Sequence, residues 1–143
     1  VLQRVSGLFS RRSYNIESIT VGSSERENRS RMIIAARGDD AQIRQMVAQL
    51  RKLIDVLDVT LLQGDPHVSR ELMFIKIKLE STKRTEIQSL IDTFRYSVID
   101  VGPSSMIVQI VGNAEKNDAF LQLIRSYGIL EITRTGETAM KRG

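Results

Sequence analysis

The sequence has no cysteine and no tryptophan, one histidine, two prolines and an aromatic content of 5% in 143 residues. Without cysteine there is no disulfide, no thiolate nucleophile and no zinc ribbon, and a reducing compartment is compatible with the chain. The lone His67 follows Pro66 in a polar stretch with no second histidine to share a metal, so it reads as a solvated loop residue rather than a ligand or general base. No glycines fall as G-x-G and no G-x-x-x-x-G-K-[ST] occurs, which removes the dinucleotide fingerprint and the phosphate loop. No apolar run approaches the roughly 18 residues of a membrane span. The chain begins at Val1 with no basic and apolar leader, so no targeting signal is read, and the expectation is a soluble, cytoplasmic protein without a membrane partner.

Charge of one sign is also scarce. Lysine and arginine total 21 against 17 acidic residues, a net charge of +4. Residues 1–64 carry 10 basic against 7 acidic side chains and residues 65–143 carry 11 against 10, so the excess is spread out. Its densest stretch, Arg26 to Arg37, interleaves four arginines with Glu25, Glu27 and Asn28 and reads as a solvated hairpin loop and strand edge. Asn28-Arg29-Ser30 fits a glycosylation sequon, discounted because nothing marks the chain as secreted.

What the sequence does contain is an internal repeat. In the second half, Met73, Ile75, Ile77 and Leu79 alternate as in a strand. Ser81 or Thr82 is placed to cap a helix with Ile87, Leu90, Ile91 and Phe94 along one side. Strands are expected over 97–101 and 106–111, separated by Gly102-Pro103-Ser104-Ser105. A second helix carries Phe120, Leu123, Ile124 and Tyr127, Gly128 is placed for a left-handed cap, and a strand over 129–133 closes the unit. The order β-α-β-β-α-β predicts an α+β ferredoxin-like sandwich with an antiparallel sheet.

The first half reads as the same unit without its opening strand. The helix stripe Leu2, Val5, Phe9 precedes strands over 16–21 and 32–36, a helix with Ile43, Met46, Val47 and Leu50, and a strand over 54–61. Met32-Ile33-Ile34 stands before Gly38 as Met106-Ile107-Val108 stands before Gly112, Leu57 to Thr60 answers Leu130 to Thr133, and Phe9 to Ile16 loosely echoes Phe94 to Ile99. Asp39 with Gln42 reads as a capping box. Gln63 to Val68, with its glycine and proline, marks a boundary, giving domains 1–63 and 70–143 joined by a linker at 64–69. The opening strand of the first copy is expected before Val1.

Ferredoxin-like sheets also bind RNA through aromatics on their central strands, but Phe74 alone lies mid-strand here. RNA binding is therefore the alternative reading, and a small enzyme with a site between domains a further one.

The stretch GLFSRRSYNIESITVG, Gly7 to Gly22, resembles the start of the amino-acid-binding ACT domain of the small, regulatory subunit of acetohydroxyacid synthase (acetolactate synthase). Lys52 to Val59, Arg70 to Ile77, Phe94-Arg95 with Ile99-Asp100-Val101, and Arg134-Thr135-Gly136 continue the resemblance in order. Two departures stand out: the strand and loop that the family has before the position of Val1, and Ser13 where glycine is usual.

The resemblance implies a non-catalytic chain, with no catalytic and no metal-binding residues of its own. It implies a homodimer through paired ACT domains, binding a branched-chain amino acid, usually valine, between protomers. The partner it implies is a catalytic subunit that carries thiamine diphosphate, a divalent metal and FAD and condenses pyruvate with a second 2-ketoacid. Activation and feedback inhibition by valine are its implied roles, with the second domain serving assembly and activation. The effector-binding residues carried over are Asn15 and Ile16, from the Tyr14-Asn15-Ile16 segment, and Val1 and Leu2 at the start of the first helix. An asparagine offers a donor and an acceptor, and a helix N-terminus offers amides to a carboxylate.

Overall fold

The computed structural model describes all 143 residues, and they divide into two compact units, 1–68 with 139–143, and 69–138. The division falls within a strand, so residues 67–69, expected in the linker, are already extended, and residues 139–143 cluster with the first unit.

In the second unit alternation dictates the sheet. Strand β3 (His67–Lys78) buries Met73, Ile75 and Ile77 on one side, and β5 (Ser105–Gly112) buries Met106, Val108 and Ile110 on the same side. Helices α3 (Arg84–Thr93) and α4 (Ala114–Ile124) close over that face with Ile87, Ile91, Phe120, Leu121 and Ile124. Fully burying each such side chain is worth roughly 1.5–3 kcal/mol. With β4 (Ser97–Val101) and β6 (Ile129–Arg134) the strand order is β4-β5-β3-β6, all neighbours antiparallel, so the opening strand β3 has a partner on each side. A short strand the sequence pattern did not suggest, β7 (Thr138–Lys141), also pairs with β3.

Two helix boundaries differ from expectation. The N-cap of α3 is Lys83, one residue beyond Thr82 and two beyond Ser81 and without a side-chain cap, because residues 81–83 form a turn. Gly128 has φ +94 and ψ 96, outside the left-handed helical region; it closes a 3-10 turn, Arg125–Tyr127, and its carbonyl accepts from the Lys78 amide at 2.9 Å. That φ still favours glycine.

The first unit repeats part of this plan. α1 (Leu2–Arg12) and α2 (Asp40–Arg51) place Val5, Leu8, Phe9, Met46 and Leu50 over a two-stranded antiparallel sheet, β1 (Asn15–Ser23) with β2 (Ser30–Arg37). The Asp39 carboxylate accepts from the Gln42 amide at 2.8 Å and the Gln42 side chain accepts from the Asp39 amide at 2.9 Å, closing the expected capping box.

The expected strand over 54–61 does not form. In the second unit the equivalent strand β6 pairs only with the opening strand, and the first unit has no strand in that position. Strand geometry needs a ladder, so alternation alone leaves 54–61 irregular, with Ile54 85% and Leu57 69% exposed and only Val59 packed on the core.

The structure aligns the repeat more closely than the letters do. Ser13 and Arg95 end α1 and α3 with φ 54 and φ 61, and the following amides, Tyr14 and Tyr96, donate back to the carbonyls of Phe9 and Ile91. Phe9 therefore answers Ile91, not Phe94. Both β1 and β4 then carry an irregularity at the same place, between Ile16 and Ser18 and between Val98 and Asp100.

A buried polar cluster ties the second unit together. The Tyr96 hydroxyl donates to Asn117 Oδ1 at 2.8 Å, and Asn117 Nδ2 donates to Glu71 Oε1 at 3.1 Å and to the Gly112 carbonyl at 3.2 Å. Arg134 pairs with Glu71 and with Asp118. A Cβ at position 112 would stand 2.7 Å from Asn117 Oδ1, which is why glycine ends this strand.

Removing Asn117 strands the buried Tyr96 hydroxyl and takes one of two donors from Glu71 Oε1, which keeps Arg134, so Asn117→Ala should cost about 3 kcal/mol in urea unfolding. Burial, and secondarily the charge of Glu71, push the Tyr96 phenol up to about 12. Because the folded state holds that proton more tightly, its contribution is complete below the unfolded value near 10 and declines as pH rises through 12. Unfolding followed across that alkaline range should show this loss in the parent chain and a shallower one in Tyr96→Phe.

Candidate functional site

Asn15 is the first residue of β1, exposed and opposite Arg37 of β2 in the ladder. The sharp entry into the strand follows from the left-handed Ser13, which turns the chain out of α1 within one residue. Arg37 also pairs with Glu17, the residue at the irregularity of β1, so an exposed guanidinium and carboxylate flank the asparagine. Sequence reasoning left both out of the site. Only the pairing of β1 with β2 brings Arg37 beside Asn15, and the hairpin pattern could have suggested it.

Ile16, opposite Ala36, is half-buried and packs against the core of the first unit. Val1 and Leu2 stand at the other end of α1, 58% and 47% exposed. Val1 is the N-cap without a side-chain bond, and its carbonyl accepts from the Val5 amide at 3.0 Å. The amides of the first turn have no partner within the helix and point outward along a favourable dipole.

These four residues do not come together within one chain. α1 has 11 residues, and at 1.5 Å per residue about 16 Å of helix separates Val1 and Leu2 from Asn15 and Ile16. One protomer thus presents two half-sites, amides with apolar side chains at one end and an asparagine between charges at the other.

The second unit holds different chemistry at the matching places. Counting from the paired helix ends, Ser97 answers Asn15, and Lys83 and Arg84 answer Val1 and Leu2. The structure has a polar groove of about 530 Å³ along α3, between Arg84 and Thr93, and a smaller one of about 200 Å³ bounded by Leu79, Glu80, Arg84 and Pro103. Neither reaches the four carried-over residues.

Aromatic placement bears on the RNA reading. Phe94, Tyr96, Phe120 and Tyr127 belong to the core of the second unit, leaving Phe74, 38% exposed, as the one aromatic on the sheet surface turned away from it. Base recognition on such a sheet uses two or three.

Comparison with known proteins covers both units. Residues 1–58 match the family described as the AHAS small subunit-like ACT domain, and residues 70–143 match the family described as the small subunit of acetolactate synthase. A probable acetolactate synthase small subunit of Methanothermobacter thermautotrophicus is 50% identical over 144 residues, covering 100% of this chain and 86% of the relative. The acetolactate synthase small subunit of Bacillus subtilis is 46% identical over 145 residues, covering 100% and 84%. The crystal structure of the acetolactate synthase small subunit from Thermotoga maritima superposes with a TM-score of 0.87 at 39% identity, over 99% of this chain and 89% of that one.

The left-handed Ser13 sets the angle at which Asn15 leaves α1, at a cost that glycine avoids. Ser13→Gly should therefore raise stability by about 1 kcal/mol, read as a higher urea midpoint at unchanged slope.

Proposed function

Because this chain belongs to the acetolactate synthase small-subunit family, we propose that it is the regulatory subunit of that enzyme in branched-chain amino-acid biosynthesis. In this reading it activates a separate catalytic subunit and makes it sensitive to valine. The observation that carries the reading is that the two units match, in order, the two parts of such a subunit. The chemistry of condensing pyruvate with a second 2-ketoacid stays with the catalytic subunit, together with thiamine diphosphate, a divalent metal and FAD.

The separation of the half-sites supports a homodimer as the working unit. Two copies paired through their first units would set the α1 N-terminus of one against Asn15 of the other. A free amino acid needs donors for its carboxylate, an acceptor for its ammonium and a small apolar recess. First-turn amides supply the donors, the Asn15 carbonyl the acceptor, and Val1, Leu2 and Ile16 the apolar wall. A pocket divided in this way exists only while the copies hold one arrangement. Valine binding then adds its free energy to that arrangement alone, which is what feedback inhibition through assembly requires.

Replacing Asn15 removes hydrogen bonds to a charged ligand, each worth about 1.5–3 kcal/mol, without touching the core. In acetolactate assays with the catalytic subunit, Asn15→Ala should raise the half-inhibitory valine concentration at least about tenfold while activation stays within about twofold. An unchanged valine response would remove Asn15 from the pocket.

A further inference from the structure

Glu17 and Arg37 form an ion pair beside Asn15 that the fold does not require. Ile16 and Ile19 both pack on the core of the first unit, and the irregularity between Ile16 and Ser18 lets two residues three apart share that side. Asn15 and Glu17, the two neighbours of Ile16, are exposed and lie on the side of β1 turned away from the core. Arg37, opposite Asn15 in the ladder, turns its Nε onto the Glu17 carboxylate. In β4 the same irregularity forms with Ile99 in the place of Glu17, and Gln109 stands opposite Ser97 where Arg37 stands opposite Asn15. The backbone shape is thus made without charges, and an ion pair as exposed as this one adds little to stability.

The chemistry of the half-site gives the pair a use. A free amino acid is a zwitterion, and the 2-ketoacid of the same carbon skeleton has the same side chain and carboxylate but a carbonyl in place of the ammonium. A regulatory subunit of an enzyme that consumes 2-ketoacids meets both classes. First-turn amides and an apolar wall hold the features that the two share, so only the ammonium tells them apart. It has three N–H donors, and the Asn15 carbonyl takes one. Glu17 is the acidic side chain next along the same side of β1, and a carboxylate accepts at about four lone-pair sites, so the bond from Arg37 leaves others for a ligand.

We propose that Glu17, positioned by Arg37, is the specificity-determining residue of the Asn15 half-site. Its carboxylate accepts a second hydrogen bond from the ammonium of an amino acid and repels the 2-ketoacid, which brings a net negative charge and no donor. Arg37 holds the carboxylate beside Asn15 and offsets its charge, so that a ligand neutral overall is the one that fits. The proposal rests on the regulatory reading above, with Asn15 as a ligand contact.

The test is calorimetric titration of the full chain with valine and, separately, with the 2-ketoacid of the same carbon skeleton, in the parent, Glu17→Gln and Asn15→Ala proteins. Glu17→Gln keeps the shape and removes the charge at an exposed position, so its urea midpoint should match the parent's. The parent should prefer valine at least about tenfold, and in Glu17→Gln that preference should shrink about tenfold, through weaker valine binding and tighter ketoacid binding. A merely structural role would weaken both ligands alike. A parent without the preference, or a preference that shrinks less than about threefold in Glu17→Gln, would overturn the proposal. If Asn15→Ala still weakens valine binding in that event, the half-site stands and only the role of Glu17 falls. An Asn15→Ala protein that binds valine as the parent does removes both.

Discussion

A split β-α-β sheet hangs on its opening strand. That strand lies between the third and fourth, so the fourth is laddered to it alone, and together with the third it carries the centre of the apolar face. In the second unit β3 holds this place, and Met73, Ile75 and Ile77 are fully buried between β5 and β6. Among residues 1–143 no strand of the first unit stands in this place, and residues 54–61 form no ladder. The two helices pack on the β1–β2 hairpin through Val5, Leu8, Phe9, Met46 and Leu50.

Where contacts are local, the sequence was readable. The period-two run of β3, the stripes of α3 and α4 and the capping box of α2 each announce themselves within a dozen residues. The errors lie where a partner far along the chain decides. The 54–61 segment alternates like a strand, but alternation specifies a face and not a ladder. Gly128 was placed as a left-handed cap, whereas its backbone follows from the bond between the Lys78 amide and the Gly128 carbonyl. The Glu71, Asn117 and Arg134 cluster joins residues 46 and 63 positions apart and left no periodic trace.

The candidate site was legible only in its residue types. Tyr14-Asn15-Ile16 pointed to a ligand contact through its resemblance to a family, with an asparagine suited to both ends of an amino acid. That α1 holds Asn15 and the Val1–Leu2 turn about a helix length apart required the structure. This separation gives the proposed regulation its physical form. In that proposal each copy's half-site would bind weakly alone, and joining two of them would couple ligand affinity to assembly.

The central claim is that this chain acts on another subunit rather than on a substrate of its own. The direct measurement is acetolactate formation by the thiamine-dependent catalytic subunit, with and without this chain and with and without valine. The account predicts a rate that rises when the chain is added and falls again with valine in its presence. A rate that the chain leaves unchanged in both conditions would contradict it.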